Sequence, residues 1–153
     1  MVFTLLDINL IAKRLKKRFN TLNPYELVDK LDVVIIRGET PNKMRGMFQI
    51  VARIIVVYID EKLPEHEQFW VLAHELAHAL LHRGMNRIFM DSRFLNVPNR
   101  YENEANLLAA YMLISDDDIK EYIEHEYTTY QISQITGINE NLVEKRIQGY
   151  LEQ

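Results

Sequence analysis

Between Val71 and His82 the chain reads Val-Leu-Ala-His-Glu-Leu-Ala-His-Ala-Leu-Leu-His, and no other stretch constrains the fold as strongly. Leu, Ala and Glu are strong helix formers, and neither Gly nor Pro interrupts them. On a helix, His74 and His78 lie one turn apart and project side by side, so both imidazoles can reach one metal ion. Glu75 is turned about 100° from His74. That sets its carboxylate beside such an ion, where a general base must stand to take a proton from water. Histidines four apart are often merely structural. Here the glutamate falls at the one required position, and the run holds three of the chain's five histidines. A zinc site is therefore the better reading of the motif.

Catalytic zinc takes three protein ligands and keeps one position open. His82 is excluded as the third, because it stands about 12 Å from His74 along the helix axis, whereas zinc–nitrogen bonds are about 2 Å. At the end of its helix His82 is expected to act as a favourable partner of the dipole. The missing ligand must then come from another element. A helix expected from Pro98 to about Ile114 offers Glu102 and Glu104, with Asn106 one turn beyond Glu102 and able to orient a ligand histidine. Ala105, Ala109 and Ala110 keep the facing surface slim, which permits close helix packing. From the residues alone either glutamate can serve, and both can also be read as surface carboxylates.

The 153 residues suit a single domain, with a core over about residues 24–115 and a helical segment over about 116–153. Such a length buries roughly two-thirds of the unfolded surface. No cysteine is present, which excludes disulfide scaffolds, cysteine zinc knuckles and thiol nucleophiles and points to a reducing cytoplasm. Asp7 and Asn9 break the first apolar stretch and the basic cluster follows it, unlike a signal peptide. No apolar run approaches a membrane span. A net charge of -4 gives no general attraction to nucleic acid. The local run Lys13 to Arg18 interleaves with Ile11, Leu15 and Phe19, so it reads as a solvated helix face in preference to a phosphate contact.

The expected architecture is α+β: a small antiparallel three-stranded sheet packed on a mainly helical, zincin-like domain. An amphipathic helix covers about residues 5–20, and Asn23-Pro24 opens a short one to about Leu31. Val33–Arg37 reads as a buried strand, and Arg45–Val51 and Ile54–Ile59 as two more joined near Ala52-Arg53. The motif helix starts at Pro64 and stops at Gly84. Met85–Val97 is a loop, either a lid or a plain connection. Ser115 to Asp118 cap a helix ending near His125, and two last helices, Tyr130–Thr136 and Asn141–Leu151, resemble a helix-turn-helix.

His74-Glu75-Leu76-Ala77-His78, followed by Glu102-Asn103-Glu104-Ala105-Asn106 and Leu107 to Leu113, resembles the ImmA/IrrE family of zinc metallopeptidases. The likeness is specific over about residues 71–115 and looser upstream. Matched residue by residue, it assigns His74, His78 and Glu102 (not Glu104) as zinc ligands, Asn106 as the small polar residue one turn on, and Glu75 as the general base. Ser115 stands where members often carry Pro. The resemblance implies a cytoplasmic endopeptidase holding one Zn²⁺ with a water as fourth ligand. It further implies a protein substrate, a helix-turn-helix repressor of a phage or mobile element, whose cleavage relieves repression.

Oxyanion donors are not assignable from sequence; Tyr101, Tyr111, His66 and His125 are the candidates. An edge strand from the Arg45–Ile59 region is expected to hold substrate by main-chain hydrogen bonds. Two rivals remain. A metal-bound, non-catalytic anti-repressor would bind the repressor without cutting it. A DNA-binding regulator would use the C-terminal helix pair, but that pair offers only Lys145 and Arg146 against Glu140, Glu144 and Glu152, which argues against direct nucleic-acid binding. A third reading is a peptidase acting on short peptides.

Overall fold

The computed structural model describes residues 7–40, 43–82 and 98–152, with the backbone alone at Pro98 and Asn99. The expected loop Met85–Val97, the Gly84 stop and residues 5 and 6 of the expected N-terminal helix lie outside these residues. Helix α1 (Ile8–Phe19) is capped by Asp7, whose carboxylate accepts from Leu10 N at 3.1 Å. Its basic residues from Lys13 to Arg18 are exposed, as a solvated face requires. Helix α2 (Pro24–Lys30) starts as expected, with the Asn23 side chain accepting from Tyr25 N at 2.9 Å.

Strands β1 (Val34–Gly38), β2 (Gly46–Val51) and β3 (Ile54–Asp60) form one sheet in the order β1-β3-β2. The expected strands are present, but the sheet is mixed: β2 pairs antiparallel with β3, whereas β1 pairs parallel to it. The reason is that the β2–β3 hairpin returns β3, not β2, to the side of β1. β3 is thus central, and Ile55, Val57 and Ile59 on its inner face are buried. β1 is an edge strand with one open face. Val34 and Ile36 are 44% and 43% exposed, so the expectation of a buried strand there is corrected. The hairpin turns at Ala52 and Arg53, both left-handed (φ 49° and 70°). This turn twists with the strands, at a steric cost of about 1–2 kcal/mol per non-glycine residue.

Helix α3 (Glu65–Leu81) begins after Pro64, with Glu65 and Glu67 in its first turn, where the helix dipole favours acid. It lies between the sheet and helix α4 (Pro98–Leu113). Val71, Leu72, Leu76, Ala77 and Ala79 of α3 share a core with Ala105, Leu108, Ala109 and Met112 of α4. Ala105 and Ala109 are wholly buried in the core shared with Ala73, Ala77 and Ala79 of α3, so the two helices meet over methyl groups.

Helix α5 (Asp116–Glu124) opens on a capping box in which Ser115 and Asp118 exchange bonds of 3.0 Å. Helices α6 (Thr129–Thr136) and α7 (Glu140–Leu151) follow, joined through the left-handed Gly137. They close a second core of Ile114, Ile119, Ile132, Ile138 and Val143. Arg146 of α7 is 1% exposed. It donates to the Ile114 carbonyl at 2.9 and 3.1 Å and to Asp116 at 2.7 Å, and lies 4.1 Å over the Tyr111 ring. Arg146 therefore ties the end of α4 to the tail and is withdrawn from any phosphate. No described helix is long and apolar enough to cross a membrane.

Candidate metal centre

The middle of α3 and the start of α4 face one another across the alanine seam, and three polar side chains converge there. His78 Nε2 lies 2.9 Å from Glu102 Oε1, and His74 Nε2 lies 3.2 Å from Glu102 Oε2. The two imidazole rings stand edge-on, 4.7 Å apart. One ligand atom from each of the three residues falls within 4.8 Å of the others. Two imidazole nitrogens and a carboxylate are the donor set of a His₂Glu site. The Glu102 side chain is half exposed while His78 is buried, so the cluster is open on one side. These residues fit a metal ion.

The electrostatics match. Hydrogen bonds from His74 and then His78 draw the Glu102 carboxyl far below the usual carboxylate range, against the effect of burial. For His74, burial pulls the pKa down. The Glu102 hydrogen bond outweighs it together with the charges of Glu75 and Glu102 and an interaction with Asn106, leaving the pKa above its ordinary value. Asn106 thus sits beside the histidine it is expected to orient. His74 Nδ1 is buried and, among the described residues, makes no hydrogen bond at ordinary bonding distance.

Glu75 lines a cleft of about 250 Å³ with Met44, Arg45, Gly46, Trp70, Val71 and His74. Gly46 is required at the cleft wall. A β-carbon there would collide with Val71 Cγ1 and lie 2.8 Å from the Tyr58 carbonyl oxygen, with Glu75 Cγ 3.6 Å away. The start of β2, an outer strand of the sheet, therefore passes close against Glu75. Arg45 and Glu67 pair at the rim, at 3.2 Å.

Glu104, the other glutamate of the pair, points elsewhere. It is buried against Arg100 and His82. His82 is also buried, 3.1 Å from His78 through their Nδ1 atoms. Burial, then the charge of His78, lowers its pKa. His82 stands at the C-cap of α3 as expected, but in place of an exposed partner of the dipole it is an internal residue whose burial favours the neutral state. Its spacing, four residues from His78, was a signal for this contact.

Of the oxyanion candidates, Tyr101 packs edge-on to His82 with ring centroids 4.8 Å apart. Tyr111 is buried beneath Arg146, remote from the cluster. His66 is exposed in the first turn of α3, and His125 is exposed at the end of α5. None of the four lines the cleft beside Glu75.

With this geometry in hand, comparison with known proteins is decisive for the family. The Peptidase_M78 profile, described as the IrrE N-terminal-like domain, matches residues 28–148. This chain is a member of the Peptidase_M78 family. It is 32% identical over 131 residues to the uncharacterized immunity region protein 2 of Bacillus phage phi105, covering 86% of this chain and 83% of that protein. It is 27% identical over 111 residues to the metallopeptidase ImmA of Bacillus subtilis (strain 168), covering 71% of this chain and 64% of ImmA. A Mycobacterium tuberculosis transcriptional regulator shares the fold, with a TM-score of 0.57 at 13% identity. The match covers 91% of this chain and 46% of that one.

Proposed function

We propose that this M78 family member is a zinc-dependent endopeptidase of the cytoplasm that cleaves a helix-turn-helix repressor of a phage or mobile element and so relieves repression. The observation that carries the reading is the meeting of His74, His78 and Glu102 at one point, with Glu75 on the adjoining cleft. The immunity-region protein and the metallopeptidase among its relatives support the biological setting.

His74, His78 and Glu102 would hold the ion. Zinc, when bound there, would supply a water of lowered pKa, about 7, and a Lewis acid for the scissile carbonyl. Glu75 takes the proton as the water oxygen adds to the carbonyl carbon. It returns that proton to the amine as the C–N bond breaks. β2 offers an outer strand beside Glu75, along which an extended substrate segment can pair by main-chain hydrogen bonds.

The test is co-expression with the repressor encoded beside this protein, with and without Glu75→Gln, followed by mass analysis of repressor fragments. Fragments that appear with the wild type and vanish with a zinc-retaining Glu75→Gln variant support the endopeptidase. Relief of repression undiminished by Glu75→Gln identifies an anti-repressor that binds without cutting.

A further inference from the structure

Behind the two imidazoles a line of buried polar groups runs from α3 into α4. His78 Nδ1 lies 3.1 Å from His82 Nδ1. His82 is 3% exposed, and its Nε2 faces Glu104 Oε2 at 3.6 Å. Glu104 is 6% exposed, and Arg100 Nε donates to its other oxygen at 3.0 Å. Among the described residues, neither His82 Nε2 nor Glu104 Oε2 has a hydrogen-bond partner. Each is the nearest resource for the other.

Imidazoles that meet through their Nδ1 atoms, when neither carries a second proton, hold one proton between them, so one ring donates and the other accepts. If His82 donates, its Nε2 lone pair confronts the Glu104 carboxylate, and the proton of His78 sits on Nε2, blocking that nitrogen. If His78 donates, the proton of His82 moves to Nε2 and points at Glu104. Nε2 of His78 then presents a lone pair to the point shared by His74 and Glu102. The negative charge on Glu104 favours the second arrangement, and Arg100 keeps that charge in place.

We propose that Arg100, Glu104 and His82 form a buried relay that holds His78 in its Nδ1–H tautomer, so that its Nε2 is offered to the metal. The proposal rests on the reading of His74, His78 and Glu102 as a metal site. His82 and Glu104 are positioning residues, since they act through His78 and do not reach the cleft. Partners of this kind fix the ring and tautomer of a ligand histidine, and their removal typically costs about 10- to 100-fold in metal affinity.

The experiment measures zinc affinity of the full chain by competition with a chromophoric chelator, for the wild type, His82→Phe and His82→Gln, with unfolding of each metal-free protein followed in parallel. His82→Phe, folded, is expected to lose about 10- to 100-fold. His82→Gln, whose amide oxygen can accept from His78 Nδ1–H, is expected to keep most of the affinity. Equal loss in both variants, or none in either, overturns the relay. If His82→Phe does not fold, a long-range ¹H–¹⁵N spectrum of the zinc-loaded wild type decides: a proton on His82 Nε2 supports the relay and one on its Nδ1 overturns it. A wild type that takes up no zinc sinks the metal-site reading itself. In that event the same spectrum of the metal-free protein still locates the His82 proton, which supports the relay on Nε2 and overturns it on Nδ1.

Discussion

His78 Nε2 and Glu102 Oε1 stand 2.9 Å apart although 24 residues separate them in the chain. The other oxygen of the same carboxylate reaches His74 at 3.2 Å. One glutamate therefore serves both histidines, one carboxylate oxygen to each.

Replacing Glu102 by Ala removes that shared partner. Its side chain is half exposed, so the fold should survive. Zinc at 100 times its Kd stabilises a protein by about 2.7 kcal/mol. The expected outcome is that thermal unfolding of Glu102→Ala no longer responds to zinc at concentrations that stabilise the wild type. An undiminished zinc shift would move the third ligand elsewhere.

Zinc should reverse the pH dependence that His74 gives to stability. His74 has a raised pKa in the folded, metal-free protein, so its contribution is complete below the unfolded value of about 6.5 and is lost as pH rises above it. Glu102, whose pKa is depressed, contributes above the unfolded carboxylate value near 4.3 and loses its contribution only in acid. Between pH 6 and 8 the metal-free protein should thus lose the contribution of His74 while Glu102 contributes fully. His82, its pKa lowered by burial, acts in the opposite sense, so the His74 slope is the difference between the wild type and His74→Gln. Zinc requires deprotonated histidines, so the stabilisation it gives should grow over the same interval. Melting curves with chelator and with zinc across this range check both slopes.

Gly46→Ala should be destabilising by about 1–3 kcal/mol, the usual cost of overpacking. The new methyl would have to displace Val71 or push β2 away from the Tyr58 carbonyl. Because the displaced strand borders Glu75, peptidase activity should fall further than the loss of folded protein accounts for. Denaturant unfolding beside a cleavage assay separates the two effects.

Arg146→Met should cost about 1–3 kcal/mol, since it leaves the buried Ile114 carbonyl without its donors and removes the partner of the part-exposed Asp116 carboxylate. Arg146→Lys should recover little, because an ammonium cannot reproduce two donors to one carbonyl together with a planar stack on Tyr111. Urea titration of both variants provides the measurement. A DNA-binding assay at low salt should show no loss for either, because the side chain does not reach solvent.

Local pattern made α3 legible from sequence. Its helix formers are uninterrupted and its acidic first turn follows Pro64, so the meeting of His74 and His78 needed nothing beyond helical geometry. α4 was legible for a similar reason: its alanines recur at helical spacing and leave Glu102 and Asn106 on one stripe. Choosing Glu102 over Glu104 depended on family likeness, because the rotation of α4 about its axis is set by packing. That rotation sends Glu104 inward to Arg100 and His82.

The parallel pairing of β1 was not legible, since strand order depends on which strand the core selects as central. The alternating burial of β3 records that choice only after folding. Arg146 looked like a surface base of a recognition helix. Its burial follows from where the Ile114 carbonyl at the end of α4 arrives, which is information held 32 residues away.

The alanine seam between α3 and α4 carries one more implication. A glutamate has three bonds with which to span a gap, and no natural carboxylate side chain is longer. Backbones held apart by leucines would leave Glu102 short of both imidazoles, whatever its rotamer. The reach of the cluster is thus governed by atoms missing at Ala105 and Ala109, two positions that supply no ligand to it.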